Sequence, residues 1–97
     1  MPSYLVLGNY TEQGMQNIRE MPVRREAVKE SIRDAGGRMI FWYLTLGEYD
    51  FVSVVEVPDA ETAATLLLTL GTEGNVRTAT MRAFTEDEAS VLTASLP

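Results

Sequence analysis

Two apolar runs, Arg38 to Leu46 and Tyr49 to Val57, flank a Gly47-Glu48 step and constrain the fold more than any other stretch. Strand-length segments rich in β-branched and aromatic residues, joined by a short turn containing glycine, predict a β-hairpin. A type II′ turn at Gly47-Glu48, or any loop of even length centred there, fixes which side chains share a face, because strand side chains alternate. One face then carries Leu46 opposite Tyr49, Leu44 opposite Phe51, Trp42 opposite Ser53 and Ile40 opposite Val55. The other carries Thr45 opposite Asp50, Tyr43 opposite Val52, Phe41 opposite Val54 and Met39 opposite Glu56. The first face suits packing beneath the chain's own helices. The second is apolar in its middle and polar at both ends, whereas a sheet covered on one side only alternates cleanly.

The remaining elements fall on either side of this hairpin. Ser3 to Asn9 reads as a short first strand closed by Gly8 and Asn9. Thr11 can cap a helical piece over about Glu12 to Glu20, which Pro22 stops or kinks before opening a second piece. Val28, Ile32 and Ala35 recur at helical spacing until Gly36-Gly37 ends the run. After the hairpin, Asp59 caps a short helix carrying Ala63, Leu66, Leu67 and Leu70, with Gly71 as its expected end. A last strand runs from about Asn75 to Phe84, with Ala79, Met81 and Ala83 expected beneath the helices and Thr78, Thr80 and Arg82 on the opposite side. Thr85-Glu86-Asp87-Glu88 has the capping-box pattern and starts a terminal helix with Ala89, Val91, Leu92 and Leu96.

This order is βαββαβ plus a C-terminal helix. It predicts one α+β domain over residues 1–97 of the ferredoxin-like kind: a four-stranded antiparallel sheet with helices on one face. The uncovered face would display Met39, Phe41, Tyr43, Val52 and Val54. A contiguous apolar patch of that kind marks an interface. The expected partner is a second copy of the chain, packed sheet to sheet as in dimeric α+β barrels, or a higher homo-oligomer.

Composition removes several function classes. With no Cys and no His, thiolate catalysis, a Ser-His-Asp triad and the usual zinc ligands are absent. No cofactor and no metal are implied. The net charge of −6 opposes unspecific contact with nucleic acid. Neither a bilayer-spanning run nor a signal-peptide pattern is present, so a cytoplasmic protein without a membrane partner is expected. Arg25, Lys29 and Arg33 fall every four residues on one helix face, but each is followed by an acid, the pattern of a solvated face.

Residues Tyr43-Leu44-Thr45-Leu46-Gly47-Glu48-Tyr49-Asp50, with Gly74-Asn75-Val76-Arg77-Thr78, Arg82-Ala83-Phe84-Thr85 and Thr11-x-x-Gly14, resemble the GYD domain family across nearly the whole chain. The family takes its name from the Gly-x-Tyr-Asp seen here as Gly47, Tyr49 and Asp50. The resemblance implies a small prokaryotic ferredoxin-like domain related in plan to dimeric α+β barrels. It brings no established catalytic residues.

Candidate ligand or interface residues are Tyr43, Thr45, Tyr49, Asp50 and Arg82, with Gly47 as the turn residue. Asp50 can act as a base or acceptor in a pocket, or it can take hydrogen bonds from Thr45 and turn N–H groups; the second role needs only its neighbours. Arg82, expected on the uncovered face, can hold a carboxylate or form an ion pair with Asp50 or Glu56. Gly71 to Asn75 lacks a phosphate loop's lysine and reads as an ordinary loop. Two functions fit these residues. One is a homo-oligomeric module binding a small ligand or a partner protein. The other is a cofactor-independent oxygenase or isomerase acting on a small organic substrate.

Overall fold

Four strands and four α-helices lie along Met1–Pro97 in the computed structural model, which describes every residue. The elements are β1 (Ser3–Tyr10), α1 (Glu12–Gln16), a 3₁₀ turn (Ile18–Glu20), α2 (Met21–Asp34), β2 (Arg38–Leu44), β3 (Phe51–Glu56), α3 (Ala60–Glu73), β4 (Val76–Ala83) and α4 (Glu86–Ala94). The strands form one antiparallel sheet in the order β2-β3-β1-β4. This is the ferredoxin-like α+β arrangement, with an added C-terminal helix. No helix is long and apolar enough to cross a membrane.

Local chemistry sets the helix starts. Thr11, Asp59 and Thr85 each accept a backbone N–H three residues on, from Gly14, Thr62 and Glu88, and Thr85 with Glu88 completes a capping box. Pro22 lies in the first turn of α2, where its missing N–H has no helical partner to lose. Helix α3 runs through Gly71 to Glu73, beyond the expected stop. Gly74, with φ of +80°, is the residue that ends it, so Gly71 to Glu73 are helix and not loop.

The hairpin pairs Phe41 with Val54, Trp42 with Ser53, Tyr43 with Val52 and Leu44 with Phe51, as the alternation predicts. Toward the other end a bulge at Ile40 shifts the register, pairing Met39 with Val55 and Arg38 with Glu56. Met39 therefore faces the helices, and Ile40 is turned toward solvent. Two contacts accompany the shift: Arg38 Nε bonds Glu56 Oε1 at 2.6 Å, and the Ser53 hydroxyl donates to the Phe41 carbonyl at 2.6 Å. The turn is wider than a type II′ connection. The Thr45 N–H meets the Asp50 carbonyl at 2.8 Å, and Leu46 to Tyr49 arch beyond without closing on each other. Gly47 does take positive φ, +110°. Leu46 is fully exposed and Leu44 is 62% exposed, so neither packs beneath a helix.

The facing of β4 also differs from expectation. Its register with β1 sets Arg82 opposite Tyr4 and Thr80 opposite Val6. Tyr4, Val6 and Thr80 lie toward the helices, so Arg82 shares that side, while Ala79, Met81 and Ala83 face the uncovered one. Threonine is tolerated beneath the helices because an open cleft, not a filled core, lies above it.

Ile32, Val57 and Ala63 form the buried cluster, with Val28, Met39, Val55 and Leu66 packed against it. Helix α2 rests on edge strand β2 and α3 on edge strand β4. Ile32 of α2 and Ala63 of α3 share the buried cluster. Between the two helices a cleft of about 310 Å³ lies over the central strands. Helix α4 packs on little of this body and lengthens the molecule to 52 × 31 × 18 Å.

Candidate functional site

The Gly-x-Tyr-Asp residues gather at the end of β1. Asp50 donates its N–H to the Gly8 carbonyl at 2.8 Å and accepts the Tyr10 N–H on Oδ2 at 2.9 Å. Strand β3 begins at Phe51, opposite Gly8, so the Asp50 side chain extends the pairing of β1 to Tyr10. Thr45 closes the loop by donating its hydroxyl to the Tyr49 carbonyl at 2.6 Å. Phe51 follows directly, and its ring lies against Gly8, where a Cβ would stand 2.0 Å from the ring. Only glycine leaves room for that ring.

A second set of contacts secures the same end. The Thr11 N–H donates to the Asn75 carbonyl at 3.0 Å, and the Thr11 hydroxyl to the Gly74 carbonyl at 2.6 Å. A Cβ on Gly14 would lie 2.0 Å from the Asn75 oxygen. The chain thus passes from β1 into α1 pressed against the start of β4. The tyrosine between these sets, Tyr10, packs its ring 5.6 Å from Phe51. Burial raises the pKa of its hydroxyl; Arg24 opposes this, Asp50 adds to it and Arg25 opposes it.

The five candidate side chains are spread over the molecule. Thr45, Tyr49 and Asp50 meet at the hairpin tip. Tyr43 is on the uncovered sheet face, 62% exposed and 5.3 Å from Phe41. Arg82 is at the far end of β1, on the helix side. It donates to the Ser3 carbonyl at 3.2 Å and to the Ala83 carbonyl, lies 4.0 Å from Glu88, and covers the Phe84 ring at 4.3 Å. No single pocket receives Tyr43, Tyr49, Asp50 and Arg82 together.

The uncovered face forms a second candidate surface. Phe41, Val54, Leu5 and Met81 stand side by side across the four strands, and Tyr43, Val52, Leu7 and Ala79 form the next row. Polar groups border both rows. Arg38, Glu56 and Ser3 lie at one end, and Asp50, Asn9 and Arg77 at the other.

A model of the GYD domain matches residues 4–92. The chain belongs to the GYD domain family. The "Glutamine synthetase and cystathionine beta-lyase binding protein" of Thermus thermophilus is 40% identical over 84 residues, covering 86% of this chain and 88% of its own. The crystal structure of TTHA0845, also from Thermus thermophilus, superposes with a TM-score of 0.53 at 26% identity, covering 88% of this chain and 95% of that one. FFRP-DM1 shares the fold, with a TM-score of 0.60 at 19% identity over 87% of this chain and all of its own. Of the residues in the motifs that carry the resemblance, Asp50, Thr11, Gly14, Gly74 and Asn75 fasten the exit of β1, whereas Gly47 shapes the hairpin turn and Tyr49 offers its carbonyl to Thr45. Their spacing was visible in the sequence, but their mutual contacts were not. Leu5 and Leu7 of the apolar rows were not singled out, although alternation along β1 carried the signal, and Met81 was expected on the opposite face, beneath the helices.

Proposed function

We propose that this GYD domain is a binding and assembly module that self-associates through its uncovered sheet face and presents the resulting oligomer to a protein partner. One observation carries the reading: two adjacent rows of four apolar side chains cross the whole sheet and are bordered by polar residues. At about 25 cal/mol per Å² of apolar area, burying roughly 400 Å² would contribute about 10 kcal/mol before the cost of association. A second copy supplies a matching surface, because a two-fold axis through the sheet places each row against a similar row. The partner-binding half draws support from the Thermus relative, whose name states that it binds two enzymes. It also draws on α4, which carries Val91 and Leu92 beside Phe84 on an exposed flank.

Sedimentation velocity over a concentration series tests this. The wild-type chain is expected to be dimeric or larger at tens of micromolar. Val54→Lys, which places a charge at the centre of the rows, is expected to yield a folded monomer with an unchanged circular dichroism spectrum. A wild-type chain that stays monomeric throughout, or a Val54→Lys chain that associates equally well, would refute the reading.

A further inference from the structure

The cleft between α2 and α3 lies on the opposite side of the sheet from the apolar rows. Its floor is aromatic: Trp42 stacks on Phe51 with centroids 5.6 Å apart and planes at 22°, and Tyr10 adjoins Phe51. Its walls are aliphatic, Val28 from α2 and Leu66, Leu67 and Leu70 from α3. Two cations border this lining. Arg25 holds its guanidinium 5.0 Å over the Trp42 ring, and its one hydrogen-bond partner is the weakly accepting Met21 Sδ at 3.8 Å. Arg24 donates from Nη1 to the Asn17 carbonyl at 3.0 Å and lies 4.0 Å from Glu20, while its Nη2 is buried with no partner.

The rest of that helix face behaves differently. Lys29 and Arg33 pair with Glu26 and Glu30 at 3.5 and 3.4 Å, as solvated residues do. Arg25 has no carboxylate, and it turns inward. A guanidinium that borders an apolar cleft and lacks a carboxylate partner, as Arg25 does, is best met by an anion. The walls favour hydrocarbon, and a volume of about 310 Å³ suits a small molecule. Glu73, which also lines the cleft, disfavours a ligand with a second negative charge.

We propose that this cleft binds a small organic monocarboxylate with an apolar body. Arg24 and Arg25 hold the carboxylate, and the body lies over Phe51 and Trp42 between α2 and α3. The site shares no residue with the proposed self-association surface.

Trp42 is the only tryptophan, so its fluorescence reports directly on the cleft. Octanoate titrated into the intact protein, followed by Trp42 emission and by calorimetry, is expected to bind saturably, one molecule per chain. 1-Octanol has the same body without the charge and is expected to bind about tenfold more weakly. The double variant Arg24→Gln, Arg25→Gln is expected to lose about tenfold in octanoate affinity with octanol affinity unchanged, while Arg33→Gln matches wild type. Absence of saturable octanoate binding, or equal affinity for octanol, overturns the proposal. So does a folded double variant that binds octanoate as wild type does. If the double variant does not fold, the octanoate and octanol pair on the wild-type protein decides alone. A monomeric chain that binds octanoate would refute the assembly reading and leave this one standing.

Discussion

Asp50 and Tyr10 are forty positions apart, yet the carboxylate of one completes the backbone pairing of the other. Charge-assisted acceptance of a backbone N–H is worth more than a neutral bond, and losing it leaves a half-buried donor unmatched. Asp50→Asn keeps an acceptor oxygen and is expected to destabilise by about 1 kcal/mol; Asp50→Ala, by about 2 kcal/mol. Urea denaturation checks both, and midpoints equal to wild type would contradict the assigned role. Gly8 offers a sharper case. Gly8→Ala forces a Cβ onto the Phe51 ring and is expected to cost about 3 kcal/mol, most of it recovered in the double variant Gly8→Ala, Phe51→Leu. A Gly8→Ala protein as stable as wild type would show that the ring is not seated there. At this scale, local roles were legible in the sequence. The positive φ of Gly47 follows from a glycine in a turn, whereas the partner of Asp50 and the neighbour of Gly8 depend on strands that meet only in the fold.

Helix caps are legible because each closes within three residues. Their chemistry has a pH signature. The Thr62 hydroxyl and N–H hold Asp59 below its usual carboxylate range, and the Thr85 N–H does the same for Glu88, aided by Arg82 nearby. A carboxylate whose folded pKa is depressed contributes stability that is fully present above the unfolded value of about 4. That contribution is lost as pH falls through the lower folded value. The carboxyl resonances of Asp59 and Glu88 are therefore expected to titrate below the model-peptide range, and the first turns of α3 and α4 to fray only in more acid solution. Titration of either group at its ordinary value would contradict the caps. The bulge at Ile40 and the facing of β4 were not legible. Ile40 is as apolar as its neighbours, and the shift involves an Arg38–Glu56 pair and a Ser53 hydroxyl that alternation does not register. In β4, alternate threonines suggest an outward face, but Thr80 lies beneath an open cleft.

On the scale of the whole molecule, the sheet has two unlike sides. Helices border a cleft on one, with an aromatic floor and two inward-turned arginines. Nothing in the chain covers the other, although eight apolar side chains tile it in two rows. The ferredoxin-like topology was legible in the order of the elements along the chain, and the excess apolarity of the uncovered face in the hairpin alone. The cleft was not, because the amphipathic patterns of α2 and α3 are equally compatible with a closed core.

Solvent accessibility of side-chain methyls, read by NMR with a soluble paramagnetic agent across a dilution series, locates the associating surface directly. The methyls of Leu5, Leu7, Val52 and Val54 are expected to be protected at high concentration and to become accessible on dilution, while those of Val28, Leu66 and Leu70 hold constant. Open-face methyls that remain accessible in the associated protein would contradict the central claim that the uncovered sheet face is where copies of this chain meet.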